Sequence, residues 1–71
     1  MINIISLIES LYSKKYNDFF MIINRHLFYD ITDIKIINIF EDIKWYYMFN
    51  DNENFKIHGI ILIKLIHNYY K

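Results

Sequence analysis

The 71-residue sequence predicts an all-α fold, a small up-down-up bundle of three helices, and three observations carry that expectation. Polar and apolar residues separate on a 100° wheel over three long segments. Two polar clusters, "YDITDI" and "NDNEN", divide those segments with residues suited to capping. The intervals between segments are short, which sets consecutive helices antiparallel. Residues 1–71 are expected to form a single helical domain, because a chain of this size buries only roughly 60% of its unfolded surface and has no room for a second core.

The first helix is expected from Ile4 to Leu27. One arc of the wheel holds Ile4, Ile5, Ile8, Leu11, Tyr12, Tyr16, Phe19, Phe20, Ile22, Ile23 and Leu27, and the other holds Ser6, Ser10, Ser13, Lys14, Asn17, Asp18, Asn24 and Arg25. The phase survives the polar patch "SKKYND", which favours one long helix over two short ones broken near Asn17 or Asp18. In "YDITDI", Asp30 can cap the next helix, Asp33 sits in its first turn and Tyr29 can staple onto Ile34. The second helix then runs from about Ile31 to Phe49. In "NDNEN", Asn50 or Asp51 can cap, with Glu53 at the capping-box position relative to Asn50. A third helix follows from about Asn52 to Tyr70.

A rival α+β fold makes "FKIHGIILIKLI" a strand, since Phe55, Ile57, Gly59, Ile61, Ile63 and Leu65 alternate against Lys56, His58 and Lys64. Helix is preferred because Glu53, Lys56, Lys64, His67 and Lys71 converge on one arc, and because a strand here has no evident partner. Gly59, the only glycine, would then serve close approach of a neighbouring helix.

Composition narrows the function classes. Lys plus Arg and Asp plus Glu number eight each, so the chain lacks the basic excess of a nucleic-acid binder. No cysteine is present to form a disulfide or a thiolate zinc site. No apolar run is long enough to span a bilayer, and "MINIISLIES" has neither the basic region nor the cleavage site of a signal peptide. Ile, Asn, Lys, Tyr, Phe and Met make up two thirds of the chain, while Ala, Val and Pro are absent. AT-only codons spell that bias, which points to an AT-rich bacterium, phage, virus, mobile element or organelle.

Catalytic chemistry finds little support. Ser6, Ser10 and Ser13 share the predicted solvent face with no histidine at helical contact spacing, and Glu41 and Asp42 resemble ordinary solvated charges. His26 and His58 fall on apolar arcs of the first and third helices, at different ends of the bundle, which suits local hydrogen bonds better than a shared ion. A lone glycine cannot build a phosphate-cradling loop. The sequence therefore leads to a non-enzymatic protein without cofactor or metal.

The stretch "KWYYMFNDNENF" is the feature that suggests an activity. Consecutive helical residues sweep the whole circumference, so these side chains cannot all be buried. Tyr46 and Tyr47 continue the buried arc of Ile36, Ile39, Phe40 and Ile43 and are expected in the core. Trp45 falls opposite, among Asn38, Glu41 and Asp42, with Phe49 one turn further along and Met48 at the border beside Ile37. At 55% hydrophobic and 20% aromatic, so short a chain is expected to carry more apolar surface than one core can hide. Either the third helix or the chain termini fold over the Trp45 and Phe49 rings, or Trp45, Phe49 and Met48, rimmed by Asn38, Glu41 and Asp42, form the candidate binding site for another protein or for a second copy as a homodimer.

Read this way, the chain is a protein–protein interaction module, an inhibitor or adaptor of a phage, virus or mobile element acting in the host cytoplasm. One alternative is an accessory subunit of an organellar or membrane-bound complex. There, residues 55–70 could meet lipid through Ile61, Leu62, Leu65, Ile66 and Tyr69, opposite Lys56, Lys64, His67 and Lys71. Another is nucleic-acid binding by aromatic stacking, with Lys14, Lys15 and Arg25 on phosphates; the few basic groups and Asp18 among them make it the weaker alternative.

Overall fold

The computed structural model describes residues 2–71 and is all-α, with helices α1 (Ile4–Tyr12), α2 (Tyr16–Asn24), α3 (Ile34–Met48) and α4 (Asn52–Tyr69). No strand occurs among the described residues, and an isolated bridge pairs Leu27 with Ile31. The stretch "FKIHGIILIKLI" lies within α4. Its period-two alternation arises because apolar residues of this segment face both the core and solvent.

The predicted first helix is two helices. α1 ends in a turn where Lys15 N–H donates to Ser10 C=O at 2.9 Å and Lys14 N–H to Leu11 C=O at 3.3 Å, with Lys14 left-handed at φ 59°. That is the pair of backbone bonds closing a Schellman motif, in which a left-handed residue turns the chain away from the helix axis. The break falls at residues 13–15, ahead of the Asn17 or Asp18 alternative. A wheel cannot see it, because α2 brings its own apolar stripe into the core. The burial does register it: Leu7, off the predicted arc, is fully buried, while Ile5, on it, is exposed.

The same motif ends α3. Asp51 N–H donates to Tyr46 C=O at 2.9 Å and Asn50 N–H to Tyr47 C=O at 3.2 Å, with Asn50 at φ 57°. Asn50 thus closes α3, and Asp51 alone caps α4, accepting from the Asn54 N–H at 3.2 Å and from its side-chain amide at 2.7 Å. The predicted partnership of Asn50 with Glu53 does not form. At the other junction Asp33, not Asp30, caps α3 by accepting from Lys35 N–H at 2.8 Å. Tyr29 and Ile34 are both exposed, so no staple forms between them.

Ring and side-chain contacts give the helix directions. Tyr16, Phe19 and Phe20 at the start of α2 meet Phe55 at the start of α4, and Tyr47 near the end of α3 joins them. His26, just beyond α2, reaches Asp30, which receives Tyr70 from beyond the end of α4. α1 ends beside α4 with Gly59 against Leu11 and Lys56 over the Tyr12 ring. Each helix therefore reverses the one before it. α1 is antiparallel to α4, whereas the three-helix expectation set the N-terminal helix parallel to the last.

A Cβ built on Gly59 would stand 2.9 Å from Leu11 Cδ1, so the glycine does permit a close helix approach. The core is graded along its length. Phe19, Phe40 and Phe55 with half-buried Tyr16 and Phe20 fill one end, and Ile2, Ile31, Ile36 and Ile66 fill the other.

Candidate functional site

α3 carries the candidate site at its C-terminal end. The rings of Trp45 and Phe49, four residues apart on one helix face, stack at 5.9 Å with an interplanar angle of 14°. Trp45 is 56% exposed, Phe49 73% and Met48 66%. Among the described residues, neither the chain ends nor α4 cover these rings. Asn38, Glu41 and Asp42 are all exposed on α3. The structure thus places five of the six candidate residues on exposed positions of α3 and Phe49 at its C-cap.

Met48 also borders a groove between α2 and α3 of about 380 Å³, lined by Phe20, Met21, Asn24, Phe40, Lys44 and Tyr47. Sequence reading missed this groove, because a wheel treats each helix alone and Met21 comes from α2. Lys44 closes one side, 3.1 Å from Glu41 Oε1 and 5.3 Å from the Phe40 ring centroid. Methionine at such an edge supplies flexible, polarisable contact that adapts to the shape of a partner.

Tyr47 departs from the expected core position. It is 39% exposed; its ring packs edge-on to Phe20 at 5.2 Å and its hydroxyl donates to Asn17 Oδ1 at 3.3 Å. The α2 helix reaches α3 and α4 through its large rings, and no Cα of α2 lies within 8 Å of one in α3 or α4. That spacing leaves Tyr47 at the edge. Tyr46 is half-buried against the His58 ring at 4.7 Å.

The histidines are engaged locally. His26 Nδ1 lies 2.9 Å from Asp30 Oδ1, and His58 Nδ1 lies 2.9 Å from the Asn54 carbonyl, which accepts from it. Among the described residues no three His, Asp or Glu side chains converge to hold an ion. Ser10, expected on the solvent face, is buried and donates to the Leu7 carbonyl at 3.0 Å. Its displacement follows from the break at residues 13–15, which folds α2 back beside it. Ser6 and Ser13 line a polar cleft with Glu9, Lys15, Asp18 and Arg25.

A second apolar surface lies on the α1–α4 side, where exposed Ile8 and Tyr12 border a hollow with Ile60, Ile63 and Lys64. Leu62 and Ile66 of the proposed lipid-facing stripe are fully buried in the bundle. No helix among the described residues is long and apolar enough to cross a membrane. The chain is a small all-α bundle with exposed aromatic side chains at the end of α3. In comparisons with known proteins, no family model, curated protein or solved structure matches the chain.

Proposed function

We propose that this protein acts by binding another protein, as an inhibitor or adaptor, through Trp45, Phe49 and Met48, with Asn38, Glu41 and Asp42 as a polar rim. The observation that carries this reading is the exposed Trp45–Phe49 stack beside the α2–α3 groove. Aromatic anchors surrounded by polar groups dominate the binding energy of many interfaces. The stack also holds both rings in place before binding, which reduces the side-chain ordering that association requires. Composition bias remains the ground for a source in an AT-rich phage, virus or mobile element.

Trp45 is the only tryptophan, so its fluorescence tests the reading. The free protein should show red-shifted, quencher-accessible emission that turns blue-shifted and protected on binding a purified partner. Trp45→Ala should leave the melting temperature within a few degrees and weaken binding by roughly 2 kcal/mol or more. A protected tryptophan in the free monomer, or unfolding of Trp45→Ala, would remove the site.

The second apolar surface, at Ile8, Tyr12 and Ile60, favours one further reading, an accessory subunit held between two neighbours of a larger assembly. Such a subunit should lose assembly on Ile8→Asp as well as on Trp45→Ala, whereas a single-faced binder should respond to Trp45→Ala alone.

A further inference from the structure

The end of the bundle away from the aromatic cluster is tied by a set of polar contacts centred on Asp30. His26 Nδ1 lies 2.9 and 3.1 Å from the two Asp30 carboxylate oxygens. The Tyr70 hydroxyl donates to Asp30 Oδ2 at 2.8 Å, and the Tyr69 hydroxyl donates to the Asp30 carbonyl at 2.9 Å. Two segments distant in sequence, the α2–α3 connection and the end of α4, thus meet at one carboxylate and one phenol.

The connection held there is a tight turn. The amides of Tyr29, Asp30 and Ile31 all donate to the His26 carbonyl at 3.2, 3.1 and 3.0 Å, and Phe28 N–H donates to Ile31 C=O at 2.9 Å. Phe28 sits at φ 65°, a left-handed backbone that disfavours a bulky side chain. It is 77% exposed and Tyr29 is 86% exposed, so their own packing does not hold the turn. Ile31, fully buried beneath it, and the Asp30 contacts do.

We propose that Asp30 is the catch of an acid-released clasp: when its carboxylate is neutralised, residues 26–33 and the turn after α4 open together, uncovering Ile31 and Ile66, while the rest of the bundle stays folded. A protonated carboxyl accepts less well from Tyr70 and carries no charge to attract His26. Tyr69 would then hold the turn only through the Asp30 carbonyl and through Thr32, 3.4 Å away at its amide. Opening is local because the aromatic cluster joining α2, α3 and α4 lies at the other end.

Among the described residues, the groups facing Asp30 include His26 from the end of α2 and Tyr69 and Tyr70 from the end of α4; Arg25, Asp33 and Lys71 are further charges along those segments. Asp33 is engaged with the Lys35 amide. The carboxyl of Asp30 is held below its ordinary range, since burial pushes it up but the hydrogen bonds from Tyr70 and His26 outweigh that. The clasp is therefore closed at neutral pH and opens in acid.

The test is amide hydrogen exchange and backbone NMR on the full chain. At neutral pH, Asp30→Asn and Tyr70→Phe should each raise exchange at the Phe28 and Ile31 amides by about tenfold or more, and leave Ile43 and Leu62 within about twofold of wild type. In an acid titration of the wild type, the resonances of residues 28–31 should move before Trp45 fluorescence reports any loss of the bundle, and Asp30→Asn should abolish that early step. Exchange that rises equally at Ile43 and Leu62, unchanged exchange at Phe28 and Ile31, or a single titration shared with Trp45 would each overturn the clasp. If Asp30→Asn proves too unstable to study, Tyr70→Phe and the wild-type titration decide the matter.

Discussion

Among the described residues three that are not glycine, Lys14, Phe28 and Asn50, occupy left-handed backbone, in a chain that contains a single glycine. Asparagine tolerates that region; lysine and phenylalanine do so at a cost of roughly 1 kcal/mol or more. Lys14→Gly should therefore stabilise the protein by about 0.5–1 kcal/mol, because the relief of strain exceeds the extra freedom gained by the unfolded chain. Thermal or urea unfolding reads this directly, and a loss of stability would show that the Lys14 side chain contributes more than the strain costs. At Tyr47, the half-exposed ring still contacts Phe20 and Phe55, so Tyr47→Ala should cost about 2–3 kcal/mol, less than a fully buried aromatic. Tyr47→Phe, which removes only the exposed bond to Asn17, should change stability by about 0.5 kcal/mol.

At the level of the helices, caps and one close crossing set the arrangement. Asp51 accepts two bonds from Asn54 at the start of α4, and Asp51→Ala should cost about 1 kcal/mol in urea unfolding. A negligible effect would mean that Asn50 takes over the cap. Gly59 lets α1 settle on α4, and Gly59→Ala sets a gain in helix propensity of about 1 kcal/mol against displacement of buried Leu11. Overpacking commonly costs 1–3 kcal/mol, so the variant should be destabilised by about 1 kcal/mol. A raised melting temperature would show that the Leu11 side chain swings clear. These two elements were unequally legible: "NDN" announces a cap by its side chains, whereas a Schellman turn at Lys14 is a backbone event on a residue with no special preference for it.

For the whole molecule, the accessible surface of 4878 Å² is close to the roughly 4,800 Å² that size scaling gives a folded monomer of this mass. The surplus expected from composition is therefore one of kind rather than extent: an ordinary amount of surface, unusually rich in large apolar groups. A single copy of the chain thus already encloses a core, and the Trp45 and Phe49 rings lie outside it. Its stability should also vary with pH in a definite direction. Asp30 and Asp51 are both held below their ordinary range; Asp30 owes this to the bonds from Tyr70 and His26 overcoming burial, and Asp51 to those from Asn54. Depressed carboxyls stabilise the folded state above their unfolded value, so that contribution is lost as pH falls below about 4 and through the lower folded values. Tyr70 is pushed up to about 12, first by burial and then by its bond to Asp30. Its contribution is present below its unfolded value near 10 and is lost as pH rises through about 12. Melting temperature should accordingly form a plateau between those limits, and Tyr70→Phe should flatten the alkaline edge.

By itself the sequence determined the helical class, the start of α4, the final helix almost to the residue and the place of Trp45 opposite the buried arc of its own helix, because helical periodicity and capping side chains are local properties; that nothing described covers Trp45 is decided by the tertiary structure. It also placed His26 and His58 apart, where the structure ties each to a neighbour on its own segment. Tertiary structure alone decided that the first apolar stripe belongs to two helices, that Ser10 and Leu7 lie inside, and that Tyr47 stays at the rim. It alone brought Met21 beside Met48 and joined Asp30 to Tyr70. The physical reason is common to all of these: a wheel records which face of one helix is apolar, whereas a left-handed residue at position 14 changes which helix lies opposite, and partners forty positions apart in sequence leave no periodic trace.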